Sequence, residues 1–249
     1  MYFVIIGEGT NDIACTSDGR EGRFVSVLRK LYEEIALDDF GFISVTKGDL
    51  ANKLPHSAGH KVEIRGLKRK AADLLYKERA ARALALIAKS KKAEFGEVGA
   101  VYFSDLDYTR SEVSNSHLYY EYVVKAVEKG FANADGYKLG IPMIPRVRSE
   151  SWLLCRYQDA PYQDCTSYEE MPVNDRSYSS GKTALAKYFR CSIDEIYSHI
   201  DFDDIDWERV KAPSFLFFRR RFRHVVERMN HMSFTDSESS TLLSVEGSI

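Results

Sequence analysis

The chain has 249 residues, 44% of them hydrophobic and 29% charged, with a formal net charge of −2. That is enough apolar material for one large core, or for a core with an appendage. No run approaches the roughly 20 apolar residues that cross a bilayer, which excludes a membrane span and predicts a soluble, cytoplasmic protein.

The opening MYFVII has no basic leader, so it predicts no signal peptide and reads instead as a first buried strand. It runs into GEG, where Glu8 stands between Gly7 and Gly9, and Asp12 follows one helical turn later. GREGRFVSVLRKLYEEIAL has helical periodicity and FGFISVTKG reads as a second strand. Next comes a basic amphipathic stretch from Glu63 to Lys92, one helix or two. Leu67, Leu74, Leu75, Leu84 and Ile87 lie near helical spacing, with Lys68, Lys70, Lys77, Arg79, Arg82 and Lys89 on a predicted outer face. Such a face is compatible with solvation beside acidic neighbours and with polyanion binding, and both readings stay open.

VGAVYFSDLDY predicts a third strand ending at Asp105 and Asp107, and HLYYEYVVKAVEKGF a helix. GIPMIPRVRSESWLLC reads as a strand passing into a short helix, with Glu150 just before Trp152. Alternating strands and helices predict an α/β fold with a mostly parallel sheet flanked by helices. After residue 157 the pattern becomes an acidic connection followed by helices around KTALAKYF and SFLFFRRRFRHVVERM. The expected organisation is an α/β unit over 1–157, a helical C-terminal extension over 158–235 and a flexible tail over 236–249.

Four scattered cysteines without a CxxC pair fit neither a zinc site nor a disulfide framework. No GxSxG motif or hydrolase triad assembles. SSGKTALA around Lys182 lacks the first glycine of a Walker A loop, where Arg176 stands, and this argues against ATP binding there. The distinctive feature is acidic. Glu8, Asp105, Asp107 and Glu150 all fall at the ends of strand-like runs, where open α/β sheets bind ligands. Like charges massed at one edge repel unless a cation sits among them, and Mg2+ or Mn2+ takes such oxygen ligands. Asp12 would join the same site if the turn opens a helix. Arg146 and Arg148 alternate toward Glu150 and could clamp a phosphate, with Lys182 as a second candidate. RRRFR at 219–223, including Arg220, could contact a nucleic-acid backbone. Alternatively, the helix buries Phe215, Phe218, Phe222 and Val225 while its arginines face solvent or pair with the DFDDID acids.

These motifs together resemble the TOPRIM fold, the metal-binding catalytic domain of topoisomerases, primases and OLD-type nucleases. The resemblance rests on GEG at 7–9, Asp12 in an ExxxE/D-like position, and SDLD at 104–107. SESWLLC at 149–155 and APSFLFFRRRF at 212–222 are similar to segments of a compact TOPRIM-like family known as domain of unknown function 4276. The chain departs from many TOPRIM sequences in having Tyr108, Thr109 and Arg110 where a glycine follows DxD.

The resemblance implies a catalytic domain over 1–157 that hydrolyses phosphodiester bonds of DNA or RNA with one or two Mg2+ or Mn2+ ions. Glu8, Asp105 and Asp107 would hold the ions, with Asp12 and Glu150 completing the site. It further implies the effector subunit of an anti-phage defence system controlled by an ABC/SMC-type ATPase partner; DNA and tRNA both fit the basic faces, and a homo-oligomer is compatible with the sequence. The alternative is a catalytically inactive TOPRIM-like scaffold or sensor docked on such an ATPase.

Overall fold

The computed structural model describes residues 1–7, 22–36, 38–51, 70–106, 116–171 and 180–245. Four strands form one parallel sheet: β1 (Tyr2–Ile6), β2 (Gly41–Val45), β3 (Val98–Phe103) and β4 (Gly140–Met143), in the order β2-β1-β3-β4. Helices α1 (Arg23–Glu33), α2 (Lys47–Ala51), α3 (Lys70–Ser90), α4 (Lys92–Phe95) and α5 (Ser116–Ala132) lie between them. After β4 come α6 (Glu150–Leu154), α7 (Cys165–Tyr168), α8 (Gly181–Phe189), two short 3-10 helices (Ile193–Ser198 and Trp207–Arg209) and the long α9 (Pro213–Val245). The α/β architecture with a helical C-terminal region is the one the alternation of patterns predicts. Helix α9 extends to Val245, through most of the stretch for which the sequence suggests a flexible tail.

The central strands β1 and β3 are apolar without interruption because both faces are covered. Side chains alternate between two cores. Phe3, Ile5, Val101, Phe103, Ile141 and Met143 point into one, with α1, α6 and α9; Val4, Ile6, Ala100 and Tyr102 point into the other, with α3 and α5. Pro142 cannot donate a ladder hydrogen bond and is tolerated because β4 is an edge strand.

The C-terminal region shares the first core. Phe215, Phe218, Phe222 and Val225 are fully buried, Phe222 lies 5.5 Å from Phe3 ring to ring, and Trp152 stacks on Phe218 at 5.9 Å. Each such ring contributes about 1.5–3 kcal/mol by leaving water, so α9 completes the sheet's cover. Two of its arginines pair not with the DFDDID acids but with Glu208. Arg219 and Arg223 reach that carboxylate at 3.1 and 3.3 Å, while Arg220 is exposed.

One sequence expectation for α3 is corrected. Lys77, assigned to the outer basic face, is 7% exposed, and its Nζ donates to Ser104 Oγ at 2.6 Å. Helix α3 lies on the sheet and against α5, so two sides of it are covered and Leu74, Ala80, Ala81, Leu84 and Ala88 are buried. The two helices approach closely at Gly130, where a Cβ would stand 2.1 Å from the Glu78 carbonyl oxygen. Among the described residues no helix is long and apolar enough to cross a membrane.

A candidate site at the carboxyl edge of the sheet

All four strands end at the same edge. From β1 the chain turns to β2 on one side, whereas β3 leads to β4 on the other, so the strand order reverses between β1 and β3. In open parallel sheets the crevice beyond this switch point is the usual ligand site. Strand β1 runs into Gly7 there, and β3 runs into Ser104, Asp105 and Leu106. Glu8, Asp12 and Asp107 lie outside the described residues.

The turn after β3 is pinned from several directions. Ser104 N donates to Met143 O at 3.4 Å and Leu106 N to Val147 O at 2.9 Å, prolonging the pairing with the chain after β4. Lys77 holds Ser104 Oγ from below, and that hydroxyl donates to Asp105 O at 3.1 Å. Asp105, half-buried, accepts the Ser149 backbone N–H on Oδ1 at 2.9 Å. This bond ties the end of β3 to the residue preceding Glu150, so two of the predicted acids meet at one edge.

Glu150 opens α6, where a carboxylate is favoured by the helix's first-turn N–H groups. It is only 2% exposed. Oε1 accepts a hydrogen bond from the Tyr197 hydroxyl, while Oε2 is buried with no hydrogen-bond partner among the described residues. An unsatisfied buried polar atom costs about 1–3 kcal/mol, and more when charged, so a donor or cation at Oε2 would stabilise this edge.

Tyr197 comes from the 3-10 helix of the C-terminal region, and the Arg23 guanidinium sits over its ring at 3.7 Å from the centroid. Burial pushes the phenol's pKa far up, the Glu150 charge and hydrogen bond raise it further, and Arg23 opposes this; Asp105 adds a smaller upward push. Tyr197 therefore remains a protonated donor to Glu150. Asp105, Glu150, Arg23 and Tyr197 form one electrostatic neighbourhood. The start of α8 closes its other side: a Cβ on Gly181 would lie 3.1 Å from Glu150 Cβ, and Ser180 caps the helix by accepting Thr183 N at 3.2 Å. Lys182, half-buried, stands in that first turn.

Arg146 and Arg148 are both half-buried between β4 and Glu150. The charge of Arg146 acts on a second, fully internal network. In it Trp152 Nε1 donates to Ser214 Oγ at 2.8 Å, Arg146 N donates to the same oxygen at 3.2 Å, and Ser214 donates to Glu169 from N–H and O–H. Glu169 is 0% exposed, and burial raises its pKa against the pull of these donors and of Arg146. The Trp of SESWLLC and the Ser of APSF are thus direct partners.

Arg23, Tyr197, Gly181, Lys77 and Glu169 did not stand out in the sequence. No local spacing links them to the carboxylates, because four different elements and a loop deliver them. Comparison with protein-family models, with curated proteins and with solved structures finds no match.

The donor set suits a hard divalent cation. Asp105 and Glu150 supply carboxylate oxygens, one of them orphaned and buried, and Mg2+ is commonly held by one or two carboxylates with the rest of its shell from water and phosphate. Among the described residues no group of three or more His, Cys, Asp or Glu side chains is gathered as a complete cage.

Proposed function

We propose that this chain is a divalent-cation-dependent nuclease that hydrolyses phosphodiester bonds of DNA or RNA. The observation that carries the reading is the buried, half-satisfied Glu150 carboxylate coupled through Ser149 to Asp105, beyond the switch point of a parallel sheet. Glu8, Asp12 and Asp107 are proposed to complete the site from the adjoining segments. The resemblance of GEG, SDLD and SESWLLC to TOPRIM and OLD-type nucleases supports the same reading.

Asp105 and Glu150 would hold Mg2+ or Mn2+, which when bound makes water acidic enough to attack phosphorus and stabilises the leaving oxygen. The chain's own contribution is positioning. Ser149 N–H and Lys77, through Ser104, fix the turn that carries Asp105, and Tyr197 holds Oε1 of Glu150 so that Oε2 is the oxygen left to bind. Arg23, Arg148 and Lys182 supply positive charge for the substrate phosphate near the same edge, whereas Arg146 also serves the internal Glu169 network. Arg220, exposed on α9, is proposed as a backbone contact.

The proposal extends to a cytoplasmic role as effector of an anti-phage defence system, with an ABC/SMC-type ATPase controlling the site. The test is cleavage of plasmid DNA, single-stranded DNA and tRNA with Mg2+ or Mn2+, with and without such an ATPase, comparing wild type with Asp105→Ala and Glu150→Gln. Metal-dependent cutting of one substrate class that is lost in both variants supports the nuclease. Equal residual cutting in wild type and variants, or none under any condition, removes it in favour of an inactive scaffold or sensor.

A further inference from the structure

At the opposite end of β3 from Asp105 lies a cavity of about 260 Å3. Strand β3 separates the two by six residues, or roughly 17–20 Å at about 3.3 Å per residue, so this is not part of the carboxylate edge. Val98, the first residue of β3, and Leu139, just before β4, form its apolar floor with Tyr137, whose hydroxyl is committed to the Val98 carbonyl. The ring therefore presents its apolar surface to the cavity.

The rim is cationic. Lys89 and Lys92 line it, but each has an acid, Asp135 at 2.8 Å for Lys89 and Glu97 for Lys92. Lys138 and Arg228 also line it, and among the described residues neither pairs with a carboxylate. Arg221 adds a third cation nearby. Its guanidinium donates to Gly140 O at 2.9 Å and to Lys138 O at 3.2 Å; burial depresses its pKa, the Glu128 charge opposes this, and the nearby Arg228 charge adds to the depression. Fixed positive charges crowded beside an apolar floor are stabilised by an anion, and charge-assisted hydrogen bonds are about twice as strong as neutral ones.

We propose that this cavity binds a small organic anion, with a carboxylate or phosphate headgroup between Lys138 and Arg228 and an apolar body against Val98, Leu139 and Tyr137. Its volume is just below the roughly 300–1,000 Å3 of pockets for drug-sized ligands. A short acyl chain or a single ring fits, and a dinucleotide does not. A nucleic-acid backbone is the poorer occupant, because Glu97 and Asp135 interrupt the cations and the floor is concave and apolar.

The test is isothermal titration of the full chain with octanoate, phenyl phosphate, inorganic phosphate and neutral 1-octanol, with no added divalent metal. Octanoate or phenyl phosphate is expected to bind one to one, and which of them binds tighter identifies the headgroup. Inorganic phosphate and 1-octanol are each expected to bind at least about tenfold more weakly, since each lacks one half of the recognition. The double variant Lys138→Gln/Arg228→Gln, changing an exposed and a half-buried cation, should retain the wild-type melting temperature and lose at least about tenfold in affinity for the organic anion. The proposal is overturned if neither organic anion binds by about 10 mM, if inorganic phosphate binds as well as they do, or if the folded double variant binds as tightly as wild type. Because the site needs no metal and touches no carboxylate of the other edge, its failure leaves the nuclease reading untouched, and the converse holds.

Discussion

Replacing Ser214 with alanine tests the internal network that joins the C-terminal region to the sheet. The change removes one oxygen and adds no bulk, so the effect is one of hydrogen bonding. Ser214 Oγ donates to the Glu169 carboxylate and accepts from Trp152 Nε1 at 2.8 Å and Arg146 N at 3.2 Å; Trp152, Glu169 and Ser214 are at most 1% exposed. The Ser214 N–H bonds to Glu169 survive in alanine. Losing a hydrogen bond to a charged group costs about 1.5–3 kcal/mol, and a buried donor left unpaired about 1–3 kcal/mol. Trp152 also contacts Glu169, which offsets part of its loss. A net destabilisation of about 3–4 kcal/mol is expected, a large share of a typical 5–15 kcal/mol. For a chain of this size that lowers Tm by roughly 6–16 °C. Urea unfolding followed by tryptophan fluorescence measures it directly, because Trp152 reports from within the network. A loss below about 1 kcal/mol would show that these bonds are not formed as described.

Gly130→Ala should be more damaging than an ordinary helix substitution, by more than about 3 kcal/mol, because its Cβ would meet the Glu78 carbonyl at 2.1 Å and drive α3 from α5; thermal unfolding checks this. Glu169 has its pKa raised above the ordinary 4.5, so the stability tied to its protonated form is present at low pH and fades as pH rises past that value. The stability of wild type relative to Glu169→Gln should therefore fall as pH rises from below 4.5 to above it, and a difference that stays flat or rises across that whole titration in parallel urea unfolding would contradict the assignment. Tyr197→Phe removes the donor to Glu150 Oε1 and should weaken Mn2+ binding about 10–100-fold, as losses of ligand-orienting bonds do. A variant that melts earlier yet binds Mn2+ normally would reduce Tyr197 to a packing role.

The readability of this chain follows physical range. Strands β1 and β3 announce themselves because both faces are covered along nearly their whole length, so their residues are apolar, and Glu150 stands out because a carboxylate stands two residues before the buried Trp152. The buried phenylalanines of α9 are legible from helical spacing alone. Lys77 is not, since its place in a basic run hides a side chain whose ammonium lies 3.9 Å from Asp73 on its own helix and donates to Ser104 on another element. Glu169 looks like one more acid in a polar connection, and only the fold brings it to Ser214 and Trp152. Tyr197 and Arg23 are likewise ordinary surface types until the fold brings the Tyr197 hydroxyl to Glu150 and the Arg23 guanidinium over the Tyr197 ring.

The most direct test of the central claim is a calorimetric titration of Mn2+ into wild type, Asp105→Ala and Glu150→Ala, each shown to be folded. Saturable binding to wild type is expected, weakened at least about 10-fold in both variants. Absence of binding to wild type, or equal affinity in all three proteins, would contradict a metal site at the carboxyl edge of this sheet.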